Sequence, residues 1–167
     1  VSAHKIKLHK KNFFISLLLL LTTVLAGALV SGTEAGLSYN NFPYMGDGFL
    51  PPILISGEPT NLKNLFNDQG FLQFLHRLVA TITLFYLLHT IFKANKDRFF
   101  NNFRQLFYFL FFMIVFQYTL GIIILILYVP IFLGLMHQIG ALLILSLLII
   151  SLCEAKKMGQ KLAPFKT

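Results

Sequence analysis

Two histidines lie inside runs of apolar residues: His76 in QFLHRLVA, with Arg77 beside it, and His137 in GLMHQIGA. Ionisable side chains at membrane depth are costly and face a bundle interior or a cavity. His76 is the sixth residue of a run counted from Phe71, and His137 the seventh of a run counted from Ile131. At a rise of about 1.5 Å per residue, each sits roughly 8–9 Å inside its helix start. Two imidazoles at matched depth on parallel helices can face each other. The plainer alternative is an interfacial or merely hydrogen-bonded histidine, with Arg77 reaching to the headgroups.

The residue inventory narrows what such a pair could hold. Zinc takes four ligands, commonly Cys, His or carboxylate. Here there is one cysteine, Cys153, and no acid at the depth of the histidines. A redox haem takes two axial ligands and an apolar slot. A haem b held by His76 and His137 therefore fits best, with Arg77 placed to pair with an anionic propionate.

Helices must position these residues. Four runs are long enough to span a bilayer, which takes about 20 mostly apolar residues. They cover about 13–32, 71–92, 106–128 and 131–153, with an outer loop over 33–70. A basic arm, 1–12, precedes them and a basic tail, 154–167, follows. The expected fold is an all-α integral membrane protein, a four-helix transmembrane bundle within 13–153. The first run has a rival reading, because basic residues, an apolar core and an AGA site resemble a signal peptide, whose removal would leave three spans. The first residue is Val, so the chain starts at an alternative start codon or is the tail of something longer.

Composition agrees with a membrane protein. The chain of 167 residues is 56% hydrophobic and 12% charged, against about 25% charged in soluble domains. Its net charge of +8 does not indicate a nucleic-acid partner, because the basic residues sit at the ends of apolar runs. Lys5, Lys7, Lys10 and Lys11 precede the first run. Lys93, Lys96, Arg98 and Arg104 follow the second, and Lys156, Lys157, Lys161 and Lys166 follow the fourth. The outer loop carries Glu34, Asp47, Glu58 and Asp68 against Lys63. Positive charge stays inside, so both termini are expected on the cytoplasmic or matrix side. The membrane is a bacterial plasma membrane or a mitochondrial inner membrane.

Other residues carry weaker signals. Gln73 and Gln138 flank the histidines and could orient a cofactor or seal the outer end. Gln117 lies mid-span, suited to a hydrogen bond across helices. Ala28, Gly32 and Gly36 have the spacing of close helix packing, and Gly121 reads the same way. Leu62, Leu65 and Phe66 suggest a short helix, either on the membrane surface or on the bundle top. His89 reads as structural, and His4 and His9 as solvated members of the basic arm.

Three stretches taken together, GALVSGTEAGLSYNNFPYMGDGFLPP, QFLHRLVA and QYTLGIIILILYVPIFLGLMHQIGALL, resemble the C-terminal half of the haem A synthase family over about 27–143. The resemblance implies an eight-helix protein of two similar four-helix halves, of which this chain is equivalent to one. In that family the second half holds haem b through a His in the HR motif and one in the HQ motif, matching His76 and His137. The first half carries its own His pair and a nearby glutamate, and there haem O is oxidised to haem A. This chain has no such half. The resemblance thus implies that it does not make haem A alone, and that it is a split subunit, a truncated product or a relic. Its implied partners are the lipid bilayer, an N-terminal-half subunit carrying haem O, and haem O synthase. Glu34, in TEAGLS, resembles the acidic motif of the other half and is a catalytic candidate, set against an ordinary solvated loop acid. Two other readings stand beside this one: an electron-transfer cytochrome b-type anchor, and a non-redox membrane assembly protein or half-transporter.

Overall fold

The computed structural model describes residues 2–56 and 61–162. Val1, the loop acid Glu58 and the tail residues 163–167, with Lys166, lie outside the described residues. The described chain is almost wholly helical. α1 covers Ser2–Gly32, a short α2 Leu62–Asn67, α3 Gln69–Asn95, α4 Arg104–Ile126 and α5 Ile131–Leu162. Four helical stretches are long and apolar enough to cross a membrane: His4–Gly32, Gln69–Asn95, Arg98–Ile126 and Ile131–Gln160. The basic residues near the N-terminus are helical and run into the apolar part of α1 without a break.

The long helices pack as a ring, α1 on α3, α3 on α4, α4 on α5 and α5 on α1. That order puts α3 and α5 on opposite corners. A Cβ on Gly159 would stand 3.4 Å from Ile6, so the start of α1 and the last turns of α5 meet at one end of the bundle. The long loop and the α4–α5 turn form the other end. There Asn40 Nδ2 donates to the Leu125 carbonyl (2.9 Å), and Val129 packs 3.1 Å from where a Cβ on Gly36 would lie.

Each helix turns a stripe at seven-residue spacing toward the interior. On α1 one line is Ile6, Phe13 and Leu20, all buried, ending at Gly27; a second is His9, Ser16 and Thr23. On α3 the matching line is His76, Thr83 and Thr90, continued by Asp97 just past the helix. The antiparallel pair brings these polar lines together. His9 Nε2 bonds Asp97 Oδ2 (3.2 Å), Ser16 donates to Thr90 (3.3 Å), and the Thr23 and Thr83 hydroxyls share a hydrogen bond (2.7 Å). Side-chain hydrogen bonds between helices are part of what holds a bundle together in lipid, where burying apolar surface gives no advantage. Exposed Thr22, Thr119 and Ser146 instead donate to the carbonyl one turn back, which satisfies a hydroxyl that has no water to meet.

His9 therefore differs from the solvated residue expected of a basic arm. It is 3% exposed, paired to Asp97 and edge-on to the Phe100 ring. The reason is the helical continuation of α1, which carries residue 9 onto the buried stripe. Ala28 and Gly32 also differ from expectation. Both face outward, and nothing lies within 4 Å of a Cβ at Gly32.

The loop between α1 and α3 is irregular but well tied. Asn61 caps α2 by accepting from Asn64 N (2.8 Å), and Asp68 caps α3 by accepting from Phe71 N (2.6 Å), each satisfying a helix-start donor. Leu62 and Phe66 of α2 stay exposed, although the Phe66 ring also meets Phe71 at the start of α3 edge-on (5.9 Å). At the α4–α5 connection Tyr128 and Val129 both take left-handed backbone angles (φ 59° and 57°). A β-branched residue rarely adopts that conformation.

Candidate functional site

His76 and His137 come from opposite corners of the ring, near the loop end. Each ring rests on a glycine of a neighbouring helix. A Cβ on Gly27 of α1 would approach His76 Cε1 to 3.0 Å, and one on Gly121 of α4 would approach His137 Cε1 to 3.1 Å. The two contacts correspond: Gly27 is five residues before the end of α1, and Gly121 five before the end of α4. Any larger residue would push the imidazole away, so the missing side chains set where the rings stand.

The hydrogen bonds differ between the two rings. His76 Nδ1 lies 3.2 Å from the Thr23 carbonyl oxygen. A carbonyl can only accept, so Nδ1 carries the proton and Nε2 is left with its lone pair. That is the arrangement found behind metal-ligating histidines, where the second nitrogen is anchored and the first is free to coordinate. His137 Nδ1 is buried without a partner. Its helix is fixed one step back, because Gln117 Nε2 on α4 donates to the His137 carbonyl (2.7 Å). Gln117 thus makes the cross-helix bond expected of it, and Gly140 leaves room for its carboxamide.

Arg77 is largely occupied by protein. Nη1 donates to the Tyr44 carbonyl (3.0 Å), and Nη2 donates to the Tyr39 carbonyl (2.9 Å) and to Gln73 Oε1 (2.9 Å). Gln73 is buried and itself donates to the Gly36 and Tyr39 carbonyls. Together they hold the loop over α3. Arg77 Nε is buried and has no partner, so one donor, with the second hydrogen of Nη1, stays available to an anion. One turn further along α3, Thr81 and Tyr118 share a 2.8 Å hydrogen bond between α3 and α4. Neither had been singled out in the sequence, where a lone Thr and Tyr among apolar residues give no distinguishing signal.

Other candidates stand apart. Glu34 is exposed, in a left-handed turn just past α1 (φ 58°), and its side chain makes no capping bond. Gln138 faces outward beside His137, and His89 is exposed on α3.

The chemistry follows from the donor set. Among the described residues no three His, Cys, Asp or Glu side chains gather to hold a metal ion. Two imidazoles alone would hold a bare ion poorly. They do suit a group that brings four equatorial ligands of its own and needs two axial nitrogens. An anchored Nδ1 on one ring, an orphaned Nδ1 on the other and a glycine under each are consistent with that use.

Comparison with known proteins bears on the whole chain. Residues 3–149 match the family model described as cytochrome oxidase assembly protein. Heme A synthase of Rickettsia prowazekii (strain Madrid E) is 37% identical over 145 residues, covering 81% of this chain and 40% of the relative. Heme A synthase of Nitrosomonas eutropha (strain DSM 101675 / C91 / Nm57) is 38% identical over 147 residues, covering 87% and 40%. Heme A synthase COX15 of Arabidopsis thaliana is 36% identical over 128 residues, covering 77% and 28%. The chain thus spans two-fifths or less of the length of these relatives. No solved structure matches it.

Proposed function

Because the chain belongs to the cytochrome oxidase assembly protein family, we propose that it is the haem b-binding C-terminal half of a haem A synthase, taking part in the oxidation of haem O to haem A. The observation that carries this reading is the histidine pair: two rings on α3 and α5, each seated on a glycine, with His76 Nε2 freed by the bond from Nδ1 to Thr23. His76 and His137 are the residues that would hold the haem iron. Arg77 offers its remaining donors to a propionate, while its other bonds keep the loop closed over the site. A haem b bound there supplies a one-electron couple. The chain contributes ligation, ring orientation and exclusion of water.

Within this reading, residues 13–153 form the haem-binding unit between a basic arm, 1–12, and a basic tail, 154–167. Both termini face the cytoplasm or the matrix. The substrate haem O belongs to the N-terminal half of such an enzyme, and haem O synthase is the source of that substrate. The chain alone is inactive. Glu34 carries no role in haem b ligation.

The test is reconstitution of the purified chain with haem b in detergent or nanodiscs. A low-spin b-type spectrum is expected, lost in both His76→Ala and His137→Ala. A normal spectrum in either variant ends the ligand assignment. A protein that takes up no haem at all returns the reading to a non-redox assembly protein.

A further inference from the structure

The end of the bundle away from the histidines holds a cleft of about 600 Å³, lined by Lys5 and His9 of α1, by Lys93, Lys96 and Asp97 at the close of α3, and by Arg98. Four permanent cations surround one carboxylate. That carboxylate is already engaged: Asp97 Oδ2 meets His9 Nε2 at 3.2 Å and Oδ1 accepts from Phe99 N at 3.3 Å. Among the described residues none of the four cations forms an ion pair. His9 Nε2 carries the proton it gives to Asp97. Its Nδ1 is buried and has no partner. The cleft is therefore positively charged.

Its position says what kind of anion it meets. Lys93 and Lys96 follow directly on the last apolar turn of α3, where a spanning helix reaches the headgroups. Phe92, 62% exposed, lies beside them with the Lys96 ammonium 4.1 Å from its ring centroid, and Phe99 lines the cleft wall. Cations at headgroup level next to an outward-facing apolar ring match a molecule with a phosphate at one end and acyl chains at the other.

We propose that this cleft binds the phosphate of an anionic phospholipid, with Lys5, Lys93 and Lys96 as its cationic ligands. The lipid would staple the start of α1 to the end of α3, beyond the last rung of their polar ladder. The same chemistry could be met by free phosphate, but only a lipid uses the apolar rim.

Native mass spectrometry of the full chain released from micelles doped with phosphatidylglycerol or phosphatidylcholine tests this. One phosphatidylglycerol should be retained in preference to phosphatidylcholine. Lys93→Gln and Lys96→Gln, both at exposed positions, should each reduce that retention by about fivefold. Lys5→Gln, on a different helix, should do the same, which separates loss of the site from a local defect in α3. Equal retention of the two lipids, or unchanged retention in all three variants, overturns the proposal. Retention of inorganic phosphate in place of phosphatidylglycerol overturns the lipid assignment.

Discussion

Gly27 and Gly121 are the residues where the smallest change should separate ligation from folding. Alanine is a better helix former than glycine by about 1 kcal/mol, so Gly27→Ala favours α1 itself. Yet its methyl would stand 3.0 Å from His76 Cε1 and displace the ring by a few tenths of an ångström. The expected outcome is weaker haem b uptake with an unchanged or raised melting temperature, read by haem titration and thermal unfolding of the apo chain. Arg77 allows a second separation. An ammonium cannot serve the Tyr39 and Tyr44 carbonyls and Gln73 together, as the planar guanidinium does. Arg77→Lys should therefore speed limited proteolysis of the 39–50 segment while the spanning helices stay protected. The histidines were legible in the sequence because an ionisable residue at membrane depth is unusual and two at matched positions are more so. The main bonds of Arg77 were not legible, since they depend on how an irregular loop lies over α3. Gly27 had no signal beyond being small, and Gly121 looked like ordinary helix packing.

Among the helices, the polar rungs between α1 and α3 carry the pairing. Thr83 bonds the Thr23 hydroxyl (2.7 Å) and the Leu19 carbonyl (3.2 Å). Such bonds inside membrane proteins average about 0.6 kcal/mol and reach about 1.7 kcal/mol. Thr83→Val, which keeps the shape and removes the hydroxyl, should destabilise the bundle by an amount in that range in a denaturation assay, with haem ligation retained. The four apolar runs could be read from length alone, and α2 from the spacing of Leu62, Leu65 and Phe66. Which face of each span turns inward could not be read from hydrophobicity, because lipid and interior are equally apolar and the usual contrast disappears. The contrast survives only in the few polar residues, and the repeat of His9, Ser16 and Thr23 against His76, Thr83, Thr90 and Asp97 carries it. Once α1 is one helix from Ser2 onward, His9 falls on that repeat.

For the whole molecule, the up-and-down path was legible from charge and loop lengths, whereas the ring order was not, since either neighbour of α1 satisfies the same loops. The ring places the two histidines on opposite corners. A chain spanning two-fifths of the Rickettsia relative is expected to need the rest of the enzyme. Expressed alone with haem O it should yield no haem A. Co-expressed with an N-terminal half bearing its own histidine pair, it should co-purify with that half and haem A should form. An intact b-type spectrum without co-purification would favour the electron-transfer anchor. The long loop, finally, is held in large part through its backbone: Gln73, Arg77 and Gln69 grip the carbonyls of Thr33, Gly36, Tyr39 and Tyr44, while its own Asn40 reaches the Leu125 carbonyl. The exposed side chains of Thr33 and Tyr44 carry little of that hold, so replacing them should cost the loop's path little while the three grasping residues on α3 are kept. At such positions the outer skin of the lid can be recast to suit a different neighbour without unfastening it from the helix beneath.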